Sequence, residues 1–523
     1  MLMTRMTTRT WVGVSAALAA LSMAAHGLLS PAQAATPNHP NIVVILADDL
    51  GHNDVSVNGS LLVNTPNIDS IAHDGARFEN GYSGDAVCST SRAALLTGRF
   101  PSRFGFEYLP GMPGFKDAVV ANGDYAKPKH AAMDIPNNDS AKVPANLRGL
   151  PNSEITLADM LKAQGYHTGI IGKWHEGSAP NFHPTKRGFD EFIGFLGGAA
   201  LYGAVDDPNV VTFRQTWFSA DAFIYKVLDN SYTNNGKPAK ASYMTYTLAD
   251  AAVDYIGRNK AKPFFLYLAF NAPHIPEQAP KAVYDKMDYI KDPGLRTHYA
   301  QIAALDDGVG RVLRKLKAEG LDKNTIVVFT SDNGGPDQDR NPYENLPYRG
   351  WKLTYFEGGF NVPYFIRWPG QVKPGTIVRG IASSLDLAPT LVHAAGGTLP
   401  TDREYDGVDL APAITGKAPE ALTNRTIYWR KEEYRAVRSG DWKLQTSKYP
   451  EKTWLFNLGV DPTERYNIAA LHPDKVKELA DLYAEHEKKF RTPIWPSGER
   501  VRTDIDGWLA DDLSDIDYVF WAN

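Results

Sequence analysis

Four polar clusters in this chain of 523 residues carry groups that bind metals or anions, and each directly follows a short apolar run. Asp48 and Asp49 follow the run 41–47, and Gly172-Lys173-Trp174-His175 follows 167–171. Asn271, Pro273 and His274 follow 263–270, and Asp332-Asn333-Gly334-Gly335 follows 325–330. Asp48, Asp49, Asp332 and Asn333 offer hard oxygen ligands with no thiolate or imidazole among them. That set suits calcium, with magnesium second, and argues against zinc. The chain has one cysteine, Cys88. It forms no internal disulfide, so it is either a buried small hydrophobe or a chemical group.

The elements that must position these clusters follow from the periodicity. The four apolar runs read as buried strands. Between them lie helical segments. Thr156 can cap a helix with Leu157, Met160 and Leu161 on one face that stops near Gly165. Residues 299–319 place Ile302, Leu305, Val309, Val312, Leu313 and Leu316 at helical spacing, with Gly320 as the stop. Residues 248–258 and 385–395 read similarly. Strands alternating with helices imply an α/β fold: a large, mostly parallel sheet sandwiched by helices. Ligands in such sheets sit beyond the carboxyl ends of the strands. Each cluster alone reads equally well as an ordinary loop, but all four fall at that one edge and can converge.

From about residue 424 the pattern changes to short strands (426–429, 434–438, 442–445 and 453–458) and a charged helix, 473–490. This predicts a smaller C-terminal antiparallel sheet plus helix, residues 424–523, after a catalytic domain of 35–423. The stretches 108–152 and 201–240 lack regular periodicity and are rich in Gly, Pro, Asn and aromatic residues. Tyr202, Trp217, Phe218 and Tyr225 suggest ordered loops near a pocket, with surface packing an equal rival.

Composition narrows the function class. Hydrophobic residues make up 43% and charged residues 22% of the chain, enough for a sizeable core. The formal charge is −5, and no long basic run offers a footprint for nucleic acid. Arg5 and Arg9 precede an apolar, alanine-rich stretch, 11–29, and Ala32-Gln33-Ala34 fits a cleavage site. Residues 1–34 are therefore read as a signal peptide, with Ala35 as the new N-terminus, in preference to an uncleaved anchor. The mature protein is expected to be exported, periplasmic or secreted, with no membrane association after signal removal.

Cys88-Ser89-Thr90-Ser91-Arg92, followed by Thr97-Gly98-Arg99, closely resembles the signature of the formylglycine-dependent sulfatases. Other segments agree with that family in order and spacing: Asp48-Asp49-Leu50-Gly51, Lys173-Trp174-His175, Pro273-His274, Asp332-Asn333-Gly334-Gly335, and Arg349 to Lys352 with Glu357-Gly358-Gly359. The resemblance spans about residues 40–490 and implies an alkaline phosphatase-like fold and a sulfuric ester hydrolase.

It further implies that Cys88 is oxidised to formylglycine by a formylglycine-generating enzyme before folding. The hydrated aldehyde joins Asp48, Asp49, Asp332 and Asn333 as a metal ligand and serves as nucleophile. Cys88 then lies at the start of a helix, residues 91–97, whose positive end favours a developing anion. By the same resemblance Arg92, Lys173 and Lys352 hold the sulfate oxygens, and His274, helped by Lys352, assists the leaving alcohol. His175 removes a proton from the second diol hydroxyl, and Asp332 assists in deprotonating the first. Two positions depart from the pattern: Thr90, where proline or alanine is usual, and Glu176, where leucine is common. The substrate class is an aryl sulfate or a sulfated carbohydrate. A phosphonate or phosphodiester hydrolase of the same fold is the runner-up, and an unmodified carbohydrate-binding homologue is a further alternative.

Overall fold

A run with no polar face is stable as a strand only where both faces of its sheet are covered. The strand Asn41–Asp48 meets this condition, with all eight residues buried. Ile42, Val44 and Leu46 face one core, and Val43, Ile45 and Ala47 face the other. Each such aliphatic side chain contributes about 1.5–3 kcal/mol by leaving water.

The computed structural model describes residues 39–110, 133–134, 143–144, 147–215, 221–336, 341–497, 499–506 and 517–522. The signal segment 1–34, with Arg5 and Arg9, and the aromatic residues Trp217 and Phe218 lie outside these. Residues Pro40–Asn523 form one compact unit.

Asn41–Asp48 pairs in parallel with Thr325–Ser331 on one side and Phe264–Pro273 on the other. His167–Lys173 and then Glu191–Phe195 continue the parallel run. Beyond Thr325–Ser331 lie Tyr364–Arg367, antiparallel to it, then Ala76–Tyr82 and Thr376–Ser383. The sheet has ten strands. One face is covered by the helices Met244–Asn259 and Pro293–Ala318, and the other by Cys88–Thr97, Leu157–Ala163 and Leu387–Ala394. Thr156 caps as its sequence predicts: Asp159 N donates to its hydroxyl at 3.1 Å, and Thr156 N donates to the Asp159 carboxylate at 3.0 Å.

The stretch 201–240 is more regular than its sequence suggests. It contains the short helix Asp221–Val227 and a hairpin, Ser231–Asn234 with Lys237–Lys240, that extends the far edge of the sheet. An exposed edge hairpin needs no apolar alternation, so the periodicity is silent there. Thr426–Lys431, Tyr434–Ser439, Trp442–Lys448 and Glu451–Asn457 form a four-stranded antiparallel sheet on which the helix Pro473–Glu487 packs through Leu479 and Tyr483.

Candidate active site

The carboxyl ends of the parallel strands bring the polar clusters together. Backbone close to the sheet end demands particular residues. At Gly172 φ is +114°, and a Cβ there would lie 1.8 Å from the Ala269 carbonyl oxygen. At Gly334 a Cβ would lie 1.9 Å from the Gly358 oxygen. Asp49 and His175 both adopt left-handed φ, +63° and +65°. Such conformations are uncommon for residues other than glycine and concentrate at functional sites.

Three acid–cation pairs define the floor. Lys173 Nζ donates to both Asp48 oxygens at 2.8 and 2.6 Å. Lys352 Nζ donates to both Asp49 oxygens at 2.7 and 2.8 Å. Arg92 Nε donates to Asp332 Oδ2 at 2.8 Å, with Nη2 2.7 Å away, and Asp49 N donates to Asp332 Oδ1 at 3.2 Å. Asn333 Nδ2 donates to Asp49 Oδ1 at 2.7 Å. The Cys88 thiol lies beside the Asp49–Lys352 pair. Its Sγ is 3.7 Å from Asp49 Oδ1 and 3.2 Å from Lys352 Nζ. His274 Nε2 is 3.6 Å from Asp49 Oδ2. His175 is tied to the start of the Cys88 helix through its carbonyl, which accepts from Ser89 Oγ at 2.8 Å. The helix starts at Cys88 itself, three residues earlier than its sequence suggests.

Burial and charge set the protonation states. Burial alone would raise the Asp49 carboxyl, but Lys352, His274 and Lys173 hold it well below the usual carboxylate range. At Asp48 burial prevails over Lys173 and raises the carboxyl. Burial, reinforced by the charges of Lys173 and Arg92, pushes His175 far below its ordinary value, so its imidazole is neutral at neutral pH and can accept a proton. Burial also lowers His274, against the pull of Asp49 and Asp48. Burial raises the Cys88 thiol despite Lys173 and Lys352, so the thiol itself is a poor nucleophile here.

The site gathers groups able to hold a metal ion, with an imidazole and the Cys88 sulfur beside the carboxylates. Asp48, Asp49, Cys88 and His274 each offer a ligand atom within 4.8 Å of the others. Asn333 Oδ1 is buried with no hydrogen-bond partner, an oxygen free to accept a cation. Asp332 sits one hydrogen bond from Asp49, with one oxygen engaged by Arg92.

Several residues take supporting places that the sequence alone does not show. Ser331 Oγ accepts from Leu50 N at 2.9 Å and donates to Asn333 O at 2.8 Å, locking the two acidic turns together. Its place inside the Asp332 motif was the available signal. The Tyr202 hydroxyl lies within hydrogen-bonding distance of the Asn271 and His274 carbonyls, at 2.7 and 2.8 Å. Gly198 leaves room for the His175 ring, since a Cβ there would sit 2.6 Å from Nε2. Nothing local marks it. Thr90 is buried and donates to Asp85 Oδ2 at 2.5 Å. Glu176 is 0% exposed and so contributes no carboxylate to the open face of the pocket.

A mostly parallel sheet with acids, lysines, an arginine and histidines gathered beyond its strand ends defines a hydrolase of anionic esters on an alkaline phosphatase-like scaffold. The Sulfatase family matches residues 40–397, and the family described as N-sulphoglucosamine sulphohydrolase, C-terminal, matches residues 350–491. The mouse (Mus musculus) N-acetylgalactosamine-6-sulfatase is 34% identical over 512 residues, covering 90% of each chain. The crystal structure of Ps i-CgsB in complex with k-i-k-neocarrahexaose superposes with a TM-score of 0.73 at 32% identity, covering 87% of this chain and 94% of that one. The phosphonate monoester hydrolase of Agrobacterium radiobacter, at 19% identity and a TM-score of 0.57 over 86% of this chain and 96% of its own, shares the fold. The chain belongs to the Sulfatase family and is a sulfuric ester hydrolase.

Proposed function

We propose that this sulfatase is an exported, calcium-dependent enzyme that removes sulfate from sugars, with formylglycine at position 88 as its nucleophile. The observation that carries this reading is the place of Cys88: at the N-terminus of a buried helix, between the Asp49 carboxylate and the Lys352 ammonium. The relatives support a sugar as the alcohol half, since one is named for N-acetylgalactosamine 6-sulfate chemistry and another is bound to a neocarrahexaose.

Asp48, Asp49, Asp332 and Asn333 would hold the metal, whose charge would lower the pKa of a hydroxyl at position 88. Magnesium is the second candidate. Arg92, Lys173 and Lys352 provide fixed positive charge for the sulfate oxygens, and Lys173 also pairs with Asp48. His175, neutral, accepts the proton from the second hydroxyl as sulfate leaves, and His274 serves the departing alcohol. A formylglycine-generating enzyme is the partner this chemistry requires. Residues 1–34 act as the signal peptide, 35–423 carry catalysis and 424–523 form the C-terminal subdomain. No described helix is long and apolar enough to cross a membrane.

The test joins two measurements on the purified protein. The mass of the peptide containing residue 88 should show sulfur replaced by oxygen together with the loss of two hydrogens, the aldehyde rather than a serine, and a panel of sulfated sugars should release sulfate only when calcium is supplied. An unmodified thiol in a fully active preparation defeats the nucleophile; release from phosphonate esters in preference to every sulfated sugar would favour the phosphonate hydrolase chemistry.

A further inference from the structure

Glu176 takes no part in the reaction as described. It directly follows Lys173-Trp174-His175, its side chain is 0% exposed, and neither carboxylate oxygen has a hydrogen-bond partner. Its backbone is fixed, because the Glu176 carbonyl accepts from Leu150 N at 3.0 Å and the preceding residue, His175, donates to Leu196 O at 3.1 Å. The charges acting on it are all positive: Arg92 first, then Arg187 and Lys173. Arg187 Nε and the Tyr267 hydroxyl, also buried, have no partners either, and Tyr267 feels both Arg92 and Glu176. A buried carboxyl without a hydrogen bond is less favourable than an apolar side chain of the same shape, so packing gives no reason for glutamate here.

Charge balance gives a reason. In the structure every site cation has its own acid: Lys173 with Asp48 at 2.6 Å, Lys352 with Asp49 at 2.7 Å, and Arg92 with Asp332 at 2.7 Å. A dication held by those same carboxylates would share their charge, leaving the fully buried Arg92 and Lys173 under-compensated. Glu176 is a carboxyl beside those two cations that is not one of the clustered ligand groups.

We infer that Glu176 is a positioning residue that becomes the counter-charge of Arg92 and Lys173 when a divalent metal binds, releasing its proton to solvent. This rests on the metal-dependent reading above. Burial raises the carboxyl well above the usual carboxylate range, against the pull of Arg92, Arg187 and Lys173. Its other ionisable neighbours do not compete for that proton: burial keeps the Tyr267 hydroxyl protonated, and His175 is neutral. Asp332 and Asp48 are themselves held by Arg92, at 2.7 and 3.4 Å. By holding the guanidinium and ammonium steady, the carboxylate keeps both aimed at the sulfate.

The test is calorimetric titration of the full chain, freed of metal by chelation, with calcium chloride in buffers of different ionisation enthalpy and at several pH values. Each proton released makes the wild-type calcium affinity tighten by up to about tenfold per pH unit. Glu176→Gln should still bind calcium, release one proton fewer and lose that tenfold dependence; Glu176→Asp should retain it. Equal proton release by wild type and Glu176→Gln overturns the inference while leaving the metal reading intact. A wild-type protein that binds no calcium defeats the metal reading itself. Should Glu176→Gln not fold, infrared difference spectra of wild type and Glu176→Asp decide: a protonated-carboxyl band lost on calcium addition must shift with the Asp variant, and an unshifted band overturns the assignment.

Discussion

His274 has a definite tautomer. Its Nδ1 lies 2.6 Å from the Ile275 carbonyl, which can only accept, so the hydrogen of the neutral ring sits there and Nε2 faces Asp49 as a bare acceptor. Donating a proton from Nε2 therefore requires the imidazolium. Because burial lowers its pKa, that acid is progressively lost as pH rises toward neutral. Alkoxides need the proton far more than phenolates, so turnover of sugar sulfates should fall with rising pH while that of aryl sulfates holds. His274→Ala should slow sugar sulfates by about 10²–10⁴-fold, the usual worth of general acid catalysis. Log kcat against leaving-group pKa should be steeper for the variant; parallel lines would assign His274 to sulfate binding alone. Cys88→Ala should abolish turnover and cost about 1 kcal/mol of stability, a typical value for one substitution, so a folded but inactive protein by calorimetry is the expected outcome. The site's acids, histidines and Lys173 were legible because each follows an apolar run, whereas Lys352 was legible only through the family motif around Arg349 to Lys352. Ser89, Ser331 and Gly198 were not, since their roles depend on partners brought from distant strands or loops.

The same division holds among the elements. The strands Asn41–Asp48, Phe264–Pro273 and Thr325–Ser331 announce themselves as unbroken apolar runs. Ala76–Tyr82 does not, because Arg77, Glu79 and Asn80 interrupt it and its place in the sheet comes from Thr376–Ser383. The short strands after residue 424 were readable from turns and alternation, but the network that binds them to the catalytic sheet was not. Glu357 takes Lys443 Nζ at 2.8 Å and the Tyr82 hydroxyl at 2.6 Å, while Lys443 also meets Glu464 at 2.9 Å. Glu357 N donates to Glu464 at 2.5 Å, and Arg438 bonds the Tyr82 hydroxyl. Lys443→Met would leave two buried carboxylates short of a partner, at a cost of about 3–5 kcal/mol. Hydrogen exchange should show the four-stranded sheet opening before the parallel sheet. The network also has a pH signature. Burial pushes Glu464 up to about 7, with Lys443 opposing and Glu357 adding to the rise. A carboxyl that binds its proton more tightly when folded adds stability fully below its ordinary value of 4.5 and loses it as pH rises through about 7. The lowered Glu357 acts oppositely, and only in acid. Tm should therefore decline between pH 5 and 8, and Glu464→Gln should flatten that decline.

At the scale of the whole molecule, the question is whether a metal would hold the fold or only the chemistry. Metal-dependent folding arises where ligands have no other partners in the metal-free state. Here Asp48, Asp49 and Asp332 are each paired with a buried cation, at 2.6, 2.7 and 2.7 Å. The parallel sheet is covered on both faces by apolar layers that do not involve those residues. Chelation should thus leave the protein folded and inactive. Calcium at a hundredfold excess over its Kd adds about 2.7 kcal/mol by mass action, a Tm increase of a few degrees that depends on calcium concentration. Asp332→Ala should behave differently, because it strips Arg92 of its closest counter-ion inside the protein and costs about 3–5 kcal/mol whether or not calcium is present. Calorimetric scans with and without calcium, on wild type and Asp332→Ala, separate the two effects. If chelation alone unfolds wild type, the three ion pairs do not suffice, and the metal is a structural element of the sheet's carboxyl edge as well as a catalytic one.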